Sequence, residues 1–448
     1  MNPESKLSPI DWLMPRSYIS QILCFESTSL RIPEALKDGL AGLVKDVPYL
    51  LCGVIDADAP QGSVGLSEPY QTLDDLFSQR NLSAEVDYTE LKSNNFPPLA
   101  FNELNIFPED LASEDGHSQP VFRAVLSLVR GGFLLHVSVH HSTTDIVGFG
   151  ALLKIWASHC NTGSSTPLGF SISWLDRDAI CKAPAKHASI DMPLLLNATK
   201  QTGDLQSQNS MDSSEMETSI FRFFAGSLQG LKTEVTKQLP VEIPWVSTGD
   251  ILTALLWSAI VFAESEREID FLAVTEPPQG TKLCQIRIPV NFRNRYAPPL
   301  PHEYLGAAFC VTLATAEEAD LLSISARNRE TLVPALARVA AAIREAINRV
   351  NKDEVDGMIE YLASQKDLKG IKLGPANAGM SMVSWADEGI HDLYWGSDIG
   401  RCEAVRLPKL KSRRYPIVLP RLPTGDLEVL ISHQEKIMNR LKGVLSMG

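Results

Sequence analysis

The stretch His140-His141-Ser142-Thr143-Thr144-Asp145 sets two adjacent histidines four residues ahead of an aspartate. Three kinds of chemistry fit those residue types. An imidazole can ligate a metal, but zinc needs three or four converging ligands. Neighbours along a strand point to opposite faces, so His140 and His141 cannot easily share one ion, and no third cluster follows them. Alternatively, His141 ends a strand and Asp145 caps the next helix, aspartate being a favoured cap. The third reading is catalytic: a neutral imidazole accepts the proton of a substrate hydroxyl. A base with a pKa of about 6.5 is too weak to deprotonate an alcohol outright. The transfer must accompany attack of the oxygen on an activated carbonyl, and a thioester is such a partner. Spacing alone favours the capping reading over the catalytic one.

The elements that must position these residues are legible as patterns. Phe133, Leu135, Val137 and Val139 alternate along a strand that His141 would continue, with His140 on the opposite face. A preceding strand joins it through a Gly131-Gly132 turn. Gly150 to Cys160 reads as a helix. Upstream, Ser17 to Ser27 reads as a first strand, and Leu36, Leu40, Leu43 and Val44 lie at helical spacing before Pro48. Ser247, Thr248 and Asp250 open an amphipathic helix. The chain ends in two strands around Thr424-Gly425-Asp426 and a closing helix. Strands and helices mix throughout, which predicts an α/β fold.

A single core rarely grows past roughly 250–300 residues, so 448 residues predict two domains. The polar tract at 200–219 is the expected crossover loop, between a domain at 1–199 and another at 220–448. Net charge is −13 with no large basic cluster, which argues against nucleic acid and anionic membrane as partners. The N-terminus lacks a basic start and apolar run, and no apolar stretch is long enough to span a bilayer. Seven cysteines are scattered without a CxxC pair, which predicts neither a zinc site nor a disulfide framework. A cytoplasmic protein with reduced thiols is the expectation.

Six segments in chain order resemble the BAHD-type acyltransferases, in particular their fungal secondary-metabolite O-acetyltransferase branch. They are LSPIDWLMPRSYISQILCF from Leu7, LKDGLAGLVKDVPYLLCG, WLDRDAI, VSTGDILTALLW from Val246, VNFRNRYAPPLPHEYLGAAF from Val290, and VSWADEGIHDLYWGSDIGRCEAVRLP ending at Pro408. The HxxxD of His141 and Asp145 stands among them. The resemblance implies two chloramphenicol-acetyltransferase-like domains, each a mixed sheet flanked by helices, with a tunnel at their interface. It implies a monomer that binds no cofactor and uses acetyl-CoA, or another acyl-CoA, as co-substrate to acylate an alcohol.

By the same resemblance, His141 is the general base and Asp145 is a structural anchor paired with Arg293. Trp385 stands near the oxyanion, and Ser247 and Thr248 lie beside the CoA tunnel. A plain helix cap is the other reading of Ser247 and Thr248, and the basic clusters at Arg293–Tyr296 and Lys411–Tyr415 are either solvated or phosphate-facing. The chain departs from the family at Ile146, where many members have glycine, and at Ala307, where asparagine is usual. Tyr394-Trp395-Gly396-Ser397-Asp398 replaces the family's Asp-Phe-Gly-Trp-Gly. These departures keep two rivals in view: a relative that isomerises or cyclises a metabolite without CoA, and a non-catalytic metabolite-binding protein.

Overall fold

The computed structural model of the chain describes residues 6–103, 118–161, 169–181, 192, 195–198, 216–265, 282–325, 329–375, 379–407 and 414–445. The first half builds strand β1 (Tyr18–Phe25), helix α1 (Ile32–Asp46), strands β2 (Phe77–Asn81), β3 (Phe122–Val129) and β4 (Gly132–His140), and helix α2 (Ile146–Cys160). Helix α1 buries Leu36, Leu40 and Leu43 on one face. It ends where the Val47 amide bonds the Leu43 carbonyl, just before Pro48.

The turn between β3 and β4 is Arg130-Gly131. Gly131 sits at φ +85°, a conformation that costs glycine little. Gly132 already belongs to β4. A Cβ there would lie 2.5 Å from the Tyr88 ring and 2.6 Å from the Phe25 carbonyl oxygen. All nine residues of β4 are buried because both faces are covered. Phe133, Leu135, Val137 and Val139 join the large core with α1 and α2. Leu134, on the other face, packs in a smaller core with Ile22, Tyr88 and Phe96.

The second half supplies β5 (Met216–Phe223), α3 (Ala225–Thr236), α4 (Thr248–Glu264), β6 (Leu283–Asn291), β7 (Phe309–Glu317) and α5 (Arg329–Arg349). It continues with β8 (Met380–Ser381), β9 (Val383–Ser384), β10 (Ala404–Arg406), β11 (Ile417–Val418), β12 (Leu427–Gln434) and α6 (Glu435–Leu445). Residues 200–215 of the expected crossover lie outside the described residues, and Met216–Ser219 already form the start of β5. Lys411–Arg413 also lie outside them.

The main sheets are mixed and helices flank them, an α/β architecture. The first sheet runs β10-β1-β4-β3-β2, and the second half forms β7-β6-β8 and β9-β11-β12-β5. Strand β10 is contributed from late in the chain and pairs antiparallel with β1, Ile22 opposite Arg406. With it, Ile390, Trp395, Ile399, Cys402 and Val405 enter the first core. Among the described residues, no helix is long and apolar enough to cross a membrane.

Candidate active site

Strand β4 stops at His140, and the side chain of His140 makes the stop. Its Nδ1 accepts the Ser142 amide at 3.2 Å, and its carbonyl accepts the Thr143 hydroxyl at 2.8 Å. The chain therefore turns through a single 3₁₀ turn at His141–Thr143. The alternation expected to run on through His141 ends one residue early, because local side-chain bonds compete with the ladder. The Nε2–H of His140 donates to Gln119 Oε1 at 2.6 Å. Burial, then Arg16 and His141, pull the His140 pKa down to about 4. It is a neutral structural side chain.

His141 is held from two directions. Its amide donates to the Ser17 carbonyl at 2.8 Å, and Nδ1 lies 2.9 Å from the Thr144 carbonyl. A carbonyl oxygen only accepts, so Nδ1 carries the proton and Nε2 presents a lone pair. Phe309, from the second half, lies against the ring with 6.2 Å between centroids. Burial holds the imidazole pKa below the ordinary histidine value of 6.5, although the Thr144 carbonyl and the carboxylates of Asp145 and Asp11 push it up.

Asp145 serves both as the helix cap and as a charge partner. Its Oδ1 accepts the Gly148 amide of α2 at 2.9 Å and Arg293 Nη2 at 2.8 Å. Its Oδ2 accepts Arg293 Nη1 at 2.8 Å and the Ala308 amide at 2.9 Å. Both residues are almost wholly buried, 3% and 1% exposed. Burial alone would raise the carboxyl pKa. The facing guanidinium and the two amides outweigh it, so the value lies below the ordinary 3.8. Arg293 also donates to the Tyr304 and Gly306 carbonyls, at 2.8 and 2.9 Å.

A second buried pair runs beside the first. Arg177 Nη1 donates to Asp11 Oδ2 at 2.8 Å, and Nη2 donates to the Thr143 carbonyl at 2.7 Å, inside the histidine turn. Asp11 Oδ1 accepts the Ala307 amide at 2.9 Å. Two successive amides, Ala307 and Ala308, thus serve two aspartates of the first half. The departure at Ala307 leaves this backbone contact in place. Asp11 was missed as a site residue. The signal in the sequence is Ser8-Pro9-Ile10-Asp11, a capping box whose aspartate is fully buried.

Crowding makes these turns intolerant. A Cβ on Gly148 would lie 2.3 Å from Thr144 Oγ1 and 2.5 Å from the Leu305 carbonyl oxygen. Gly148→Ala is expected to destabilise the fold by about 1–3 kcal/mol, checked by chemical denaturation.

His141 opens on a cavity of about 1230 Å³ lined from both halves of the chain. Ile19, Ile146 and Val147 line it on one side, and Ile288, Phe309 and Trp385 on the other. Trp385 is half-buried against Leu407, Ile417, Leu419 and Leu430, and its amide bonds the Val418 carbonyl at 2.8 Å. Ser247 and Thr248 line the same cavity, with Lys232, Arg295 and Arg344.

Ser247 is the cap of α4: its hydroxyl accepts the Asp250 amide at 3.1 Å and Arg344 Nη2 at 2.9 Å. The Tyr394–Asp398 stretch does not line the cavity. Trp395 is fully buried against Trp156 and Phe25, with centroids 5.5 and 5.8 Å away. Asp398 Oδ1 accepts the Ser29 hydroxyl at 2.7 Å. Among the described residues, no three His, Cys, Asp or Glu side chains converge as a metal site.

The Transferase family model matches residues 2–444. The chain belongs to this family, the BAHD acyltransferases. This BAHD chain is 23% identical to the O-acetyltransferase ptmV of Penicillium ochrochloron, over 97% of the chain and 94% of that protein. It is 24% identical to the trichothecene 3-O-acetyltransferase TRI101 of Fusarium sporotrichioides, over 92% and 87% of the two. Among solved structures, F. graminearum TRI101 complexed with coenzyme A and deoxynivalenol superposes with a TM-score of 0.79 at 20% identity. That match spans 98% of this chain and 96% of the other, and it shows the BAHD fold.

Proposed function

We propose that the chain transfers an acyl group, acetyl by likeness to its fungal relatives, from coenzyme A to a hydroxyl of a small secondary metabolite. One observation carries this reading: His141, with Nδ1 held by the Thr144 carbonyl and Nε2 unprotonated, lines a cavity that residues from both halves of the chain enclose. The acceptor hydroxyl hydrogen-bonds to Nε2. Its oxygen attacks the thioester carbonyl carbon while its proton passes to Nε2. The carbonyl becomes an oxyanion, to which the Trp385 indole N–H donates in this scheme, a contribution worth about 2.7–4 kcal/mol for one such donor in a well-studied protease. The C–S bond then breaks, the proton on Nε2 passes to the departing sulfur, and CoA leaves as a thiol.

Asp145 takes no proton in this scheme. Both its oxygens are occupied by donors, and its work is to hold the turn that carries His141. Lys232 and Arg295 suit the anionic co-substrate, beside the first turn of the helix that Ser247 caps, whereas Arg344 is already paired with Asp250.

The base works only when neutral. Activity is therefore present above the His141 pKa and lost as pH falls through it. The acid limb of kcat/KM is expected to have its midpoint below 6.5, read from initial rates across a pH series.

The test of the assignment is acetyl-CoA binding by calorimetry, followed by thiol release with a panel of terpenoid, polyketide and alkaloid alcohols. Binding and alcohol-dependent thiol release are expected. Conversion of a metabolite without CoA, or metabolite binding with no acetyl-CoA binding, would overturn the assignment.

A further inference from the structure

A half-buried acid next to the cavity has no place in the scheme above. Glu388 follows Trp385, Ala386 and Asp387, all three of which line the cavity. Its amide closes a turn on the Trp385 carbonyl at 3.3 Å. Its carboxylate reaches β1, where Gln21 Nε2 donates to Glu388 Oε2 at 2.9 Å. Gln21 is fully buried. The same carboxylate side chain packs on the second turn of α2, since a Cβ on Gly150 would lie 3.6 Å from Glu388 Cβ. Glu388 thus joins the Trp385 turn to the strand and the helix that flank His141.

The pair is short of one hydrogen. Glu388 Oε1 and Gln21 Oε1 are both sealed from solvent, and neither meets a donor. An ionised carboxylate only accepts, so two acceptors would stay unpaired, each at a cost of about 1–3 kcal/mol. A protonated carboxyl has a hydroxyl to donate, and an acid and an amide can exchange two hydrogen bonds. We propose that Glu388 is a positioning residue that works as a neutral acid, bonded reciprocally to Gln21, and that its ionisation frees the Trp385 wall of the cavity.

The surroundings agree. Burial drives the Glu388 pKa well above the ordinary 4.5; the Gln21 amide pulls it partly back, and the Asp145 charge adds to the rise. The charged groups around it offer no counter-ion. On α2, Asp145 is paired with Arg293, and Lys154, one turn past Gly150, is paired with Glu303 at 2.8 Å. On its own loop, Asp387 is exposed, with Arg421 at 3.4 Å, and Asp392 Oδ2 lies 4.0 Å from a Cβ built on Gly389. Strand β1 offers only uncharged Gln21. The neutral pair is therefore intact below the raised value and is lost as pH rises through it.

The consequence for rate rests on the acyl-transfer reading, whereas the state of the acid does not. Three readouts separate them: kcat against pH, tryptophan fluorescence against pH, and the infrared carboxyl band of the unliganded protein. In the wild type, an alkaline loss of kcat, a fluorescence change and loss of a protonated carboxyl band are expected to share one midpoint. Glu388→Ala is expected to lower kcat by about tenfold at neutral pH. Glu388→Gln, neutral at every pH, is expected to restore the rate and to abolish both the alkaline limb and the band.

An unchanged alkaline midpoint in Glu388→Gln would overturn the proposal. If that variant does not fold, the wild type decides: no protonated carboxyl band at neutral pH, or a band titrating apart from the fluorescence, overturns it equally. A shared fluorescence and infrared midpoint in a protein that transfers no acyl group would uphold the acid–amide pair and defeat the acyl-transfer reading alone.

Discussion

His141→Ala is expected to lower kcat for acyl transfer by about 10²–10⁴-fold, the range that a positioned general base contributes. The affinity for acetyl-CoA is expected to stay close to that of the wild type, because in the proposed scheme the side chain meets the alcohol and not the nucleotide. The variant also loses the acid limb, since the group that titrates there is gone. Folding is little affected. The imidazole makes one hydrogen bond, to the Thr144 carbonyl, and the backbone bond from its amide to Ser17 survives substitution. Steady-state rates, with acetyl-CoA binding by calorimetry, check all three. Near wild-type turnover would remove His141 from the chemistry.

Arg293→Met carries the largest expected effect on stability. It leaves the Asp145 carboxylate buried with no counter-charge, and breaking such a pair costs about 3–5 kcal/mol. The pH dependence changes sign as well. In the wild type the folded-state pKa is depressed, so the pair stabilises the fold above the unfolded value and is lost only as pH falls through the folded one. Without Arg293, burial is unopposed by the guanidinium and the carboxyl pKa rises. The variant then gains stability on mild acidification, over a range in which the wild type does not. Urea denaturation from neutral to mildly acid pH reads both effects. Asp145→Asn is expected to melt early for the same reason. A variant that folded and melted normally while losing only proton transfer would contradict the anchoring role.

The α/β class was legible because alternation and helical spacing are local. Phe133, Leu135, Val137 and Val139 show one face of β4, and Leu36, Leu40 and Leu43 one face of α1. The end of β4 was not legible. It depends on His140 Nδ1 taking the Ser142 amide, a side-chain geometry that periodicity does not encode. The family pattern named Arg293 beside Asp145, and the two stand 2.8 Å apart across 148 positions of sequence. Asp11 and Arg177 stood in recognised segments, but nothing local says that they meet or that Ala307 joins them.

Glu388 was the least visible. An acid in the polar run Asp387-Glu388-Gly389 reads as solvated, and only the packing of β1 and α2 around it seals its carboxyl Oε1. Strand β10 was equally hidden, since pairing with β1 returns residues near position 405 to a sheet begun before position 20.

Direct transfer from thioester to alcohol at His141 Nε2 is tested most directly by a quenched single turnover of the wild-type protein with acetyl-CoA and an accepted alcohol. Ester and free CoA thiol are predicted to appear together in equal amounts, with no acylated protein at any time and neither product from His141→Ala at a comparable rate. An acyl adduct on the protein that forms and decays, or ester formation by His141→Ala at the wild-type rate, would contradict it.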